Sequence, residues 1–280
     1  MLVDGSRKAV RLLLDGKSGG PGPAPAWVGA AADFEFVGSN EGSTVLTFEA
    51  RTLQEVVPNR VAQGEMFDAV PGDASGLGLF RISVADALTG QAESNTFDSG
   101  VLATIEDWQN VFSYGVREVE FGNASGPVIK ISPAGIETAR RLRRETPAPQ
   151  RVRVTGWLDA IRHHDRMFTL KLEDGATLRG IAESVDTHVL ASLFGKKATI
   201  SALAVFRPSG RVLRLEADHI EPAGEDFSFW STEPEPIDQT LDDAALRKPQ
   251  GPRSGINAII GRWPGDETDD EILRALEDLS

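Results

Sequence analysis

Five stretches of sequence decide the fold of the middle of this chain: RVRVTGWLDAI (151–161), MFTLKLED (167–174), ATLRGIAE (176–183), KATISALAVF (197–206) and RVLRLEADHI (211–220). Apolar and polar residues largely alternate in them, and β-branched and large apolar side chains are frequent, which is typical of strands. The turn sequences EDGA and RPSG join two of the neighbouring pairs. Gly156 interrupts the long first stretch and predicts a bend or bulge there.

A single helix is predicted between the third and fourth of these strands. In DTHVLASLFGK (186–196), Val189, Leu190 and Leu193 have helical spacing and Gly195 stands at the end, so we expect these three side chains to face the core. The order β-β-β-α-β-β is that of a small five-stranded Greek-key barrel of the OB type. The sequence therefore predicts an all-β, OB-like barrel over residues 151–221.

Residues 1–146 are predicted to form an α+β domain with two strand pairs. DFEFVGSNEGSTVLTFEA (33–50) alternates apolar and acidic residues around a turn sequence, which predicts a hairpin. VREVEF (116–121) and PVIKI (127–131) predict a second pair. The run AVRLLLDG (9–16) is also predicted to be a strand, ended by a turn.

Two helices of this domain carry recognisable start signals. TFDSGVLATIEDWQNVFSYG (96–115) has apolar residues at helical spacing, with Asp98 or Ser99 as the expected N-cap. SPAGIETARRLRRETP (132–147) begins with Ser132 as N-cap, followed by a proline at the first helical position. We expect both stretches to be helical.

The composition changes after the last predicted strand. Residues 222–255 are rich in Pro, Gly, Ser and acids, which predicts a flexible acidic linker. Residues 223–280 hold 5 Lys or Arg against 14 Asp or Glu, a large share of the net charge of −13. Such an acidic segment either meets a basic protein surface or stays solvated.

The last 25 residues, 256–280, are predicted to be an extended tail that ends in a short helix and binds a partner; we call them the C-terminal segment. Thr268 and Glu271 form a capping box, and Ile272, Leu276 and Leu279 then recur at i, i+4 and i+7. A helix this short is marginal in water unless its apolar face docks. The predicted partner-binding residues are Ile256, Ile259, Ile260, Arg262, Trp263, Asp266, Glu267, Ile272, Leu273, Leu276 and Leu279.

Two docking sites for this segment remain open from the sequence. It either packs on the domains of its own chain or enters a groove on a partner protein. We favour the partner, because the long linker gives the segment a reach that packing on its own domains would hardly require.

An alternative function uses two loops of the predicted barrel. RHHDR (162–166) joins strands one and two, and RPSGR (207–211) joins strands four and five, where OB barrels bind oligonucleotides. The predicted nucleic-acid-binding residues form one cationic rim with side chains for stacking: Arg162, Arg166, Arg207, Arg211, His163, His164 and Phe206. Ordinary solvated loops are the other interpretation, and 11 basic against 9 acidic residues in 151–222 are too few for strong nonspecific binding.

Composition narrows the remaining function classes. The chain has no cysteine, which excludes disulfides, thiolate metal sites and a cysteine nucleophile and agrees with a reducing cytoplasm. The N-terminus lacks an export signal and the apolar runs are too short for a membrane helix, so we expect a cytoplasmic protein without a membrane partner. No nucleophile elbow occurs, and adjacent His163 and His164 point to opposite faces of a strand and do not readily share a metal. We therefore expect neither an enzyme nor a catalytic, metal or cofactor site.

The C-terminal sequence AIIGRWPGDETDDEILRALEDLS (258–280) resembles the C-termini of small bacterial proteins encoded beside PIN-domain ribonuclease toxins. There a Trp-Pro-Gly-Asp-Glu element precedes a leucine-rich acidic helix. GWLDAIRHHDRMFTLKLEDGATLRG (156–180) and GKKATISALAVFRPSGRVLRLEADHI (195–220) resemble the barrel domain of bacterial proteins with such tails, most of which are uncharacterised.

The resemblance implies an antitoxin-like protein of a toxin–antitoxin system, which binds a PIN-domain toxin and blocks its active site. Because that active site is built from metal-binding carboxylates, the resemblance implies Arg262 as the group that enters it and a basic or apolar groove for the acidic helix. The chain departs from the resemblance at one point: it has neither a helix-turn-helix nor a basic ribbon, which are the DNA-binding elements that antitoxins use for autoregulation.

A structural adaptor is the third function that we consider.

Overall fold

The structure is a computed structural model that describes residues 1–20, 22–40, 44–64, 73–123, 126–162, 166–224 and 227–237. The predicted linker beyond residue 237 and the predicted helix of the C-terminal segment lie outside the described residues. Met1–Gln239 form one compact unit. Within the described residues, no helix is both long and apolar enough to cross a membrane.

Of the helices in the described residues, most precede residue 146. Their bounds are α1 Leu2–Asp15, α2 Ala26–Ala31, α3 Leu53–Val56, α4 Pro58–Gly64, α5 Gly76–Leu88, α6 Ser99–Glu106, α7 Gln109–Phe112, α8 Pro133–Glu145 and α9 Thr187–Ser192, with a 3₁₀ turn at Phe227–Trp230. The strands are β1 Phe34–Asn40, β2 Val45–Ala50, β3 Val119–Phe121, β4 Ile129–Ile131, β5 Gln150–Arg162, β6 Met167–Lys171, β7 Thr177–Ile181, β8 Lys197–Phe206 and β9 Val212–Pro222.

The N-terminal part, residues 1–146, has its own core of buried side chains from α1, α5, α6 and α8, among them Val10, Phe80, Ile105 and Ile136. β1 pairs with β2 and β3 with β4, both antiparallel, so the two predicted strand pairs are confirmed. The two predicted helices are also confirmed, the first as α6 and α7 in succession.

Both predicted helix caps are present. The carboxylate of Asp98 accepts hydrogen bonds from the N–H groups of Gly100 and Val101 at the start of α6. The hydroxyl of Ser132 accepts one from the N–H of Gly135 at the start of α8. Each oxygen satisfies amides that have no partner inside the first helical turn.

The strand predicted at residues 9–16 is wrong, because this run is the second half of α1. The helix begins at Leu2, and Gly5 and Ser6 of its first turns are buried. The apolar run looks continuous because α1 is covered on more than one side: it packs on α5 and α6 and also lies against the barrel. Over the whole of α1 the exposed and buried residues do follow the helical period, but the run 9–16 is too short to show it.

The strands β5 to β9, between Gln150 and Pro222, form a closed barrel with the strand order β5-β6-β7-β9-β8, in which β8 also pairs with β5. β7 and β9 are parallel, and the other neighbours are antiparallel. The barrel has a second core, separate from that of the N-terminal part, which includes Phe168, Leu170, Ile200 and Leu215.

The predicted bend at Gly156 lies where β5 changes partner. Up to Trp157 the strand pairs with β8, and from Trp157 onward it pairs with β6. A Cβ atom at position 156 would lie 2.5 Å from the carbonyl oxygen of Lys171, so only glycine lets the two strands approach this closely.

The prediction for α9 holds for two of its three apolar residues. Leu190 and Leu193 are buried, but Val189 is 40% exposed and does not face the core. In a helix of six residues, apolar spacing alone does not define which side chains face the core. The packing against the barrel places Leu190 and Leu193 there.

Candidate functional site between the N-terminal part and the barrel

Arg162, predicted to lie on a solvent-exposed rim, is buried between the two parts of the chain. It is the last residue of β5 and only 5% exposed. Its Nη2 donates a hydrogen bond to the carbonyl oxygen of Leu14, in the last turn of α1, and also contacts the sulfur of Met167. The last carbonyls of a helix lack partners and carry its negative dipole end, so a cation there is favourable. The barrel therefore supplies a cation to α1, whose own last turn has no basic residue.

The end of α1 is fitted closely to the barrel. Gly16 follows the helix with a φ of 76°, in the left-handed region that favours glycine. A Cβ atom there would lie 3.1 Å from Ile181 and 3.2 Å from Met167. The next residue, Lys17, forms an ion pair with Glu183 at 2.5 Å, which adds a polar contact beside the apolar one.

Arg207, from the loop between β8 and β9, also binds inside the chain. Its Nε and Nη2 donate to the side-chain oxygen of Asn95, in the N-terminal part, and its Nη1 donates to the carbonyl oxygen of Val212. Burial lowers the pKa of the Arg207 guanidinium, and Glu93 and Glu233 oppose that shift. An arginine side chain nevertheless stays charged at neutral pH.

A third contact joins β9 to the start of α6. Arg214 Nη1 lies 3.3 Å from an oxygen of Asp98, and Arg214 Nε lies 2.8 Å from Glu216. The side chains of Arg214 and Asp98 are 12% and 7% exposed. Asp98 also accepts hydrogen bonds from the hydroxyl and the N–H of Ser18. The sequence indicated Asp98 only as a helix cap; its role in joining the two parts was not predicted.

The other two arginines of the predicted rim also have partners in the chain. Arg166 donates to the carbonyl oxygens of Glu183 and Val185. Arg211 lies on the surface and pairs with Glu233 at 2.9 Å, and the same carboxylate accepts from the N–H of Val212.

The rim predicted for nucleic-acid binding is therefore not assembled as expected. Phe206 is 1% exposed and part of the barrel core, so the expectation that it is available for stacking is wrong. Arg162 is buried and its guanidinium faces α1. His163 and His164 lie outside the described residues, and nucleic-acid binding itself stays a prediction.

Part of the predicted linker packs on the barrel. Glu233 binds the β8–β9 loop as above, and the N–H of Ile237 donates to the side chain of Gln150 at the start of β5. Ser231 is 8% exposed. Phe229 is 79% exposed and Trp230 is 43% exposed.

A cavity of about 270 Å³ lies between the N-terminal part and the barrel. Apolar side chains of α1, α5 and the barrel line most of it, including Leu12, Leu79, Ile181 and Leu213. The polar groups at its edge bind one another or nearby residues: the Ser83 hydroxyl donates to backbone carbonyls, and Arg214 is paired as above. Chemically, the cavity offers apolar surface and hydrogen-bonding groups that are already satisfied.

Side chains suited to metal binding do not cluster in the described ranges: no three His, Asp or Glu side chains there are placed to hold a metal ion. The predicted partner-binding residues, Ile256 to Leu279, lie outside these ranges. Comparison of the chain with protein-family models, with curated proteins and with solved structures gave no match in any of the three.

Proposed function

We propose that this protein is an antitoxin-like, non-enzymatic protein that binds and neutralises a PIN-type ribonuclease toxin through residues 256–280. One observation carries the proposal: this segment joins a capping box and an apolar helical stripe to a Trp-Pro-Gly-Asp-Glu element, beyond an acidic Pro/Gly-rich stretch. The pattern is that of a helix which gains its stability by docking. The resemblance described above supplies the class of partner.

The chemistry of the segment divides the binding between two elements. Arg262, flanked by Ile260 and Trp263, suits a pocket of carboxylates, because a guanidinium forms two parallel hydrogen bonds with a carboxylate. The helix bearing Leu276 and Leu279 suits an apolar groove with basic edges. Blocking the carboxylates would prevent the toxin from holding its catalytic metal ion.

Loss of binding on truncation tests this proposal. A candidate PIN-domain ribonuclease is co-expressed with the full chain, with a chain ending at residue 255, and with two single variants. Leu276→Asp places a charge in the apolar stripe, whereas Asp278→Asn changes the opposite face and serves as the matched control. We expect the full chain and Asp278→Asn to co-purify with the ribonuclease and inhibit it, and the other two to do neither. Inhibition by the truncated chain would overturn the proposal.

A second candidate is a nucleic-acid-binding module, and the strand order of the barrel favours it. A closed barrel of five strands in the order β5-β6-β7-β9-β8 is consistent with the OB type, which binds oligonucleotides through its first and fourth loops. Here, arginines of those loops bind Leu14 and Asn95 of the same chain. Because these contacts occupy the groups that would meet phosphates, we rank this function second.

Oligonucleotide titrations separate the two functions. Charge reversal of Arg162 or Arg207 would disturb the intramolecular contacts, so the informative change is Arg211→Gln, at a surface side chain. A nucleic-acid module would bind single strands at low salt, lose affinity on this change and keep binding after truncation at residue 255. We expect no measurable binding at low salt.

A further inference from the structure

The hairpin of β1 and β2 carries an apolar face that does not join the core of the N-terminal part. Phe48 lies between Phe34 and Phe36, with ring centroids 5.4 Å and 5.8 Å away. None of the three belongs to the described apolar core. On this face Phe36 and Leu46 are 58% and 54% exposed, and Val37 at the bulge of β1 is 56% exposed. Exposed apolar patches of this kind mark interaction surfaces.

The opposite face of the hairpin holds two acids side by side. Glu35 and Glu49 are direct cross-strand partners, and both are exposed. Like charges directly opposite each other destabilise a strand pair. Neither carboxylate has an ion-pair partner among the residues that the structure describes. A cation placed between them would remove this repulsion.

The two edges of the hairpin differ. β1 carries a bulge between Phe36 and Gly38, a feature that blunts an edge against further pairing. β2 is regular and consists of Val, Leu, Thr, Phe, Glu and Ala, without the proline, glycine or lysine that protects edges. Within the described chain, neither strand pairs with a third. A two-stranded sheet is only marginally stable by itself, so a further strand on β2 would stabilise it.

We propose that this hairpin binds an extended, basic segment of a partner protein, which adds as a third strand along β2. Alternate side chains of the segment are apolar and pack beside Leu46 and Phe48 of β2; the others are Lys or Arg, which lie next to Glu49 of β2 and are long enough to extend toward Glu35 of β1. A second copy of this chain is a poorer occupant, because it brings the same two acids and a net charge of −13. The proposal does not depend on the C-terminal segment.

Charge-swapped peptides test the chemistry of the partner. Fluorescence anisotropy measures binding of a labelled peptide alternating Val and Lys, and of one alternating Val and Glu, to the full chain. The test variant carries both Glu35→Lys and Glu49→Lys. The control variant carries both Asp73→Lys and Asp107→Lys, which change the net charge by the same amount at exposed positions outside the hairpin. We expect the test variant to bind the basic peptide at least about tenfold more weakly than the unchanged chain does, and to bind the acidic peptide. Equal weakening by both pairs would show diffuse attraction and overturn the proposal.

Backbone pairing and self-association need separate measurements. A basic peptide N-methylated at successive amides, which blocks both of its edges, keeps its charge but cannot pair as a strand, and we expect it not to bind. Binding that survives this methylation contradicts strand addition. Sedimentation equilibrium of the full chain and of Phe36→Ser tests whether a second copy of the chain binds the apolar face instead. A dimer that Phe36→Ser dissociates would assign the apolar face to a second copy and sink the proposal.

Discussion

Arg162 shows how a single side chain from the barrel fixes the position of a helix in the N-terminal part. Its guanidinium reaches the carbonyl oxygen of Leu14, so a barrel residue satisfies a helix end that has no basic residue of its own. Burying a guanidinium is costly unless its donors find acceptors. Because the acceptor is a backbone carbonyl, no residue type marks it in the sequence. This explains why the sequence predicted Arg162 to face solvent.

Replacing Arg162 by methionine should therefore destabilise the whole chain. The change leaves the Leu14 carbonyl without its charged donor, and we expect a loss of about 1.5–3 kcal/mol in the free energy of unfolding. Arg151→Met, at a side chain that is 78% exposed, should change it by less than about 0.5 kcal/mol. Urea denaturation monitored by circular dichroism measures both. A change at position 162 no larger than that at 151 would contradict the capping role.

Glycine substitutions give a second test at the same helix end. Gly16→Ala places a Cβ atom near Ile181 and Met167 on a residue with φ of 76°, and we expect a cost of about 1–2 kcal/mol. Gly29→Ala is the control, since it lies inside α2 with open space at its Cβ position. There we expect a gain of about 0.5–1 kcal/mol. The free energy of unfolding of each variant decides, and the two changes should have opposite signs.

At the scale of elements, caps determine where helices begin. The Ser132 hydroxyl accepts from the N–H of Gly135, so Ser132→Ala should lower the free energy of unfolding by about 1 kcal/mol, while Ser132→Asp should retain the cap. Ser113→Ala removes an exposed hydroxyl that donates to the nearby carbonyl of Asn110, and we expect almost no effect. Thermal unfolding of the three variants checks this. A melting temperature equally low for Ala and Asp at position 132 would argue against capping.

Elements with local signals were predictable from the sequence, and those defined by distant contacts were not. Turns, caps and alternation lie within a few residues, so the hairpins, α8 and the barrel strands followed from the sequence. The helix α1 did not, because its apolar run faces both the N-terminal core and the cavity beside the barrel. The loops bearing Arg162 and Arg207 were also identified, but their partners Leu14 and Asn95 are more than a hundred residues away in the chain.

At the scale of the whole molecule, the N-terminal part and the barrel have separate cores joined by polar contacts. Four polar contacts cross this boundary: those of Arg162, Lys17 and Arg207, and the ion pair of Arg214 with Asp98. The arginine-bearing loops that suggested an external ligand thus serve internal assembly. We therefore expect the two parts to unfold together rather than as independent domains.

The pair of Asp98 and Arg214 provides the test of this coupling. Each group keeps other partners when the first is removed, Arg214 with Glu216 and Asp98 with Ser18, so Asp98→Ala and Arg214→Met should each cost about 1.5–3 kcal/mol in the free energy of unfolding. In the double variant neither charge is left without its partner. The double variant should therefore lose less free energy of unfolding than the sum of the two single losses, by at least about 1 kcal/mol. The exchange rates of amide hydrogens then report each core separately, in α5 and in β8. If the two parts unfold together, Arg214→Met raises exchange in both cores by the same factor; faster exchange in the barrel alone would mean that the parts unfold independently.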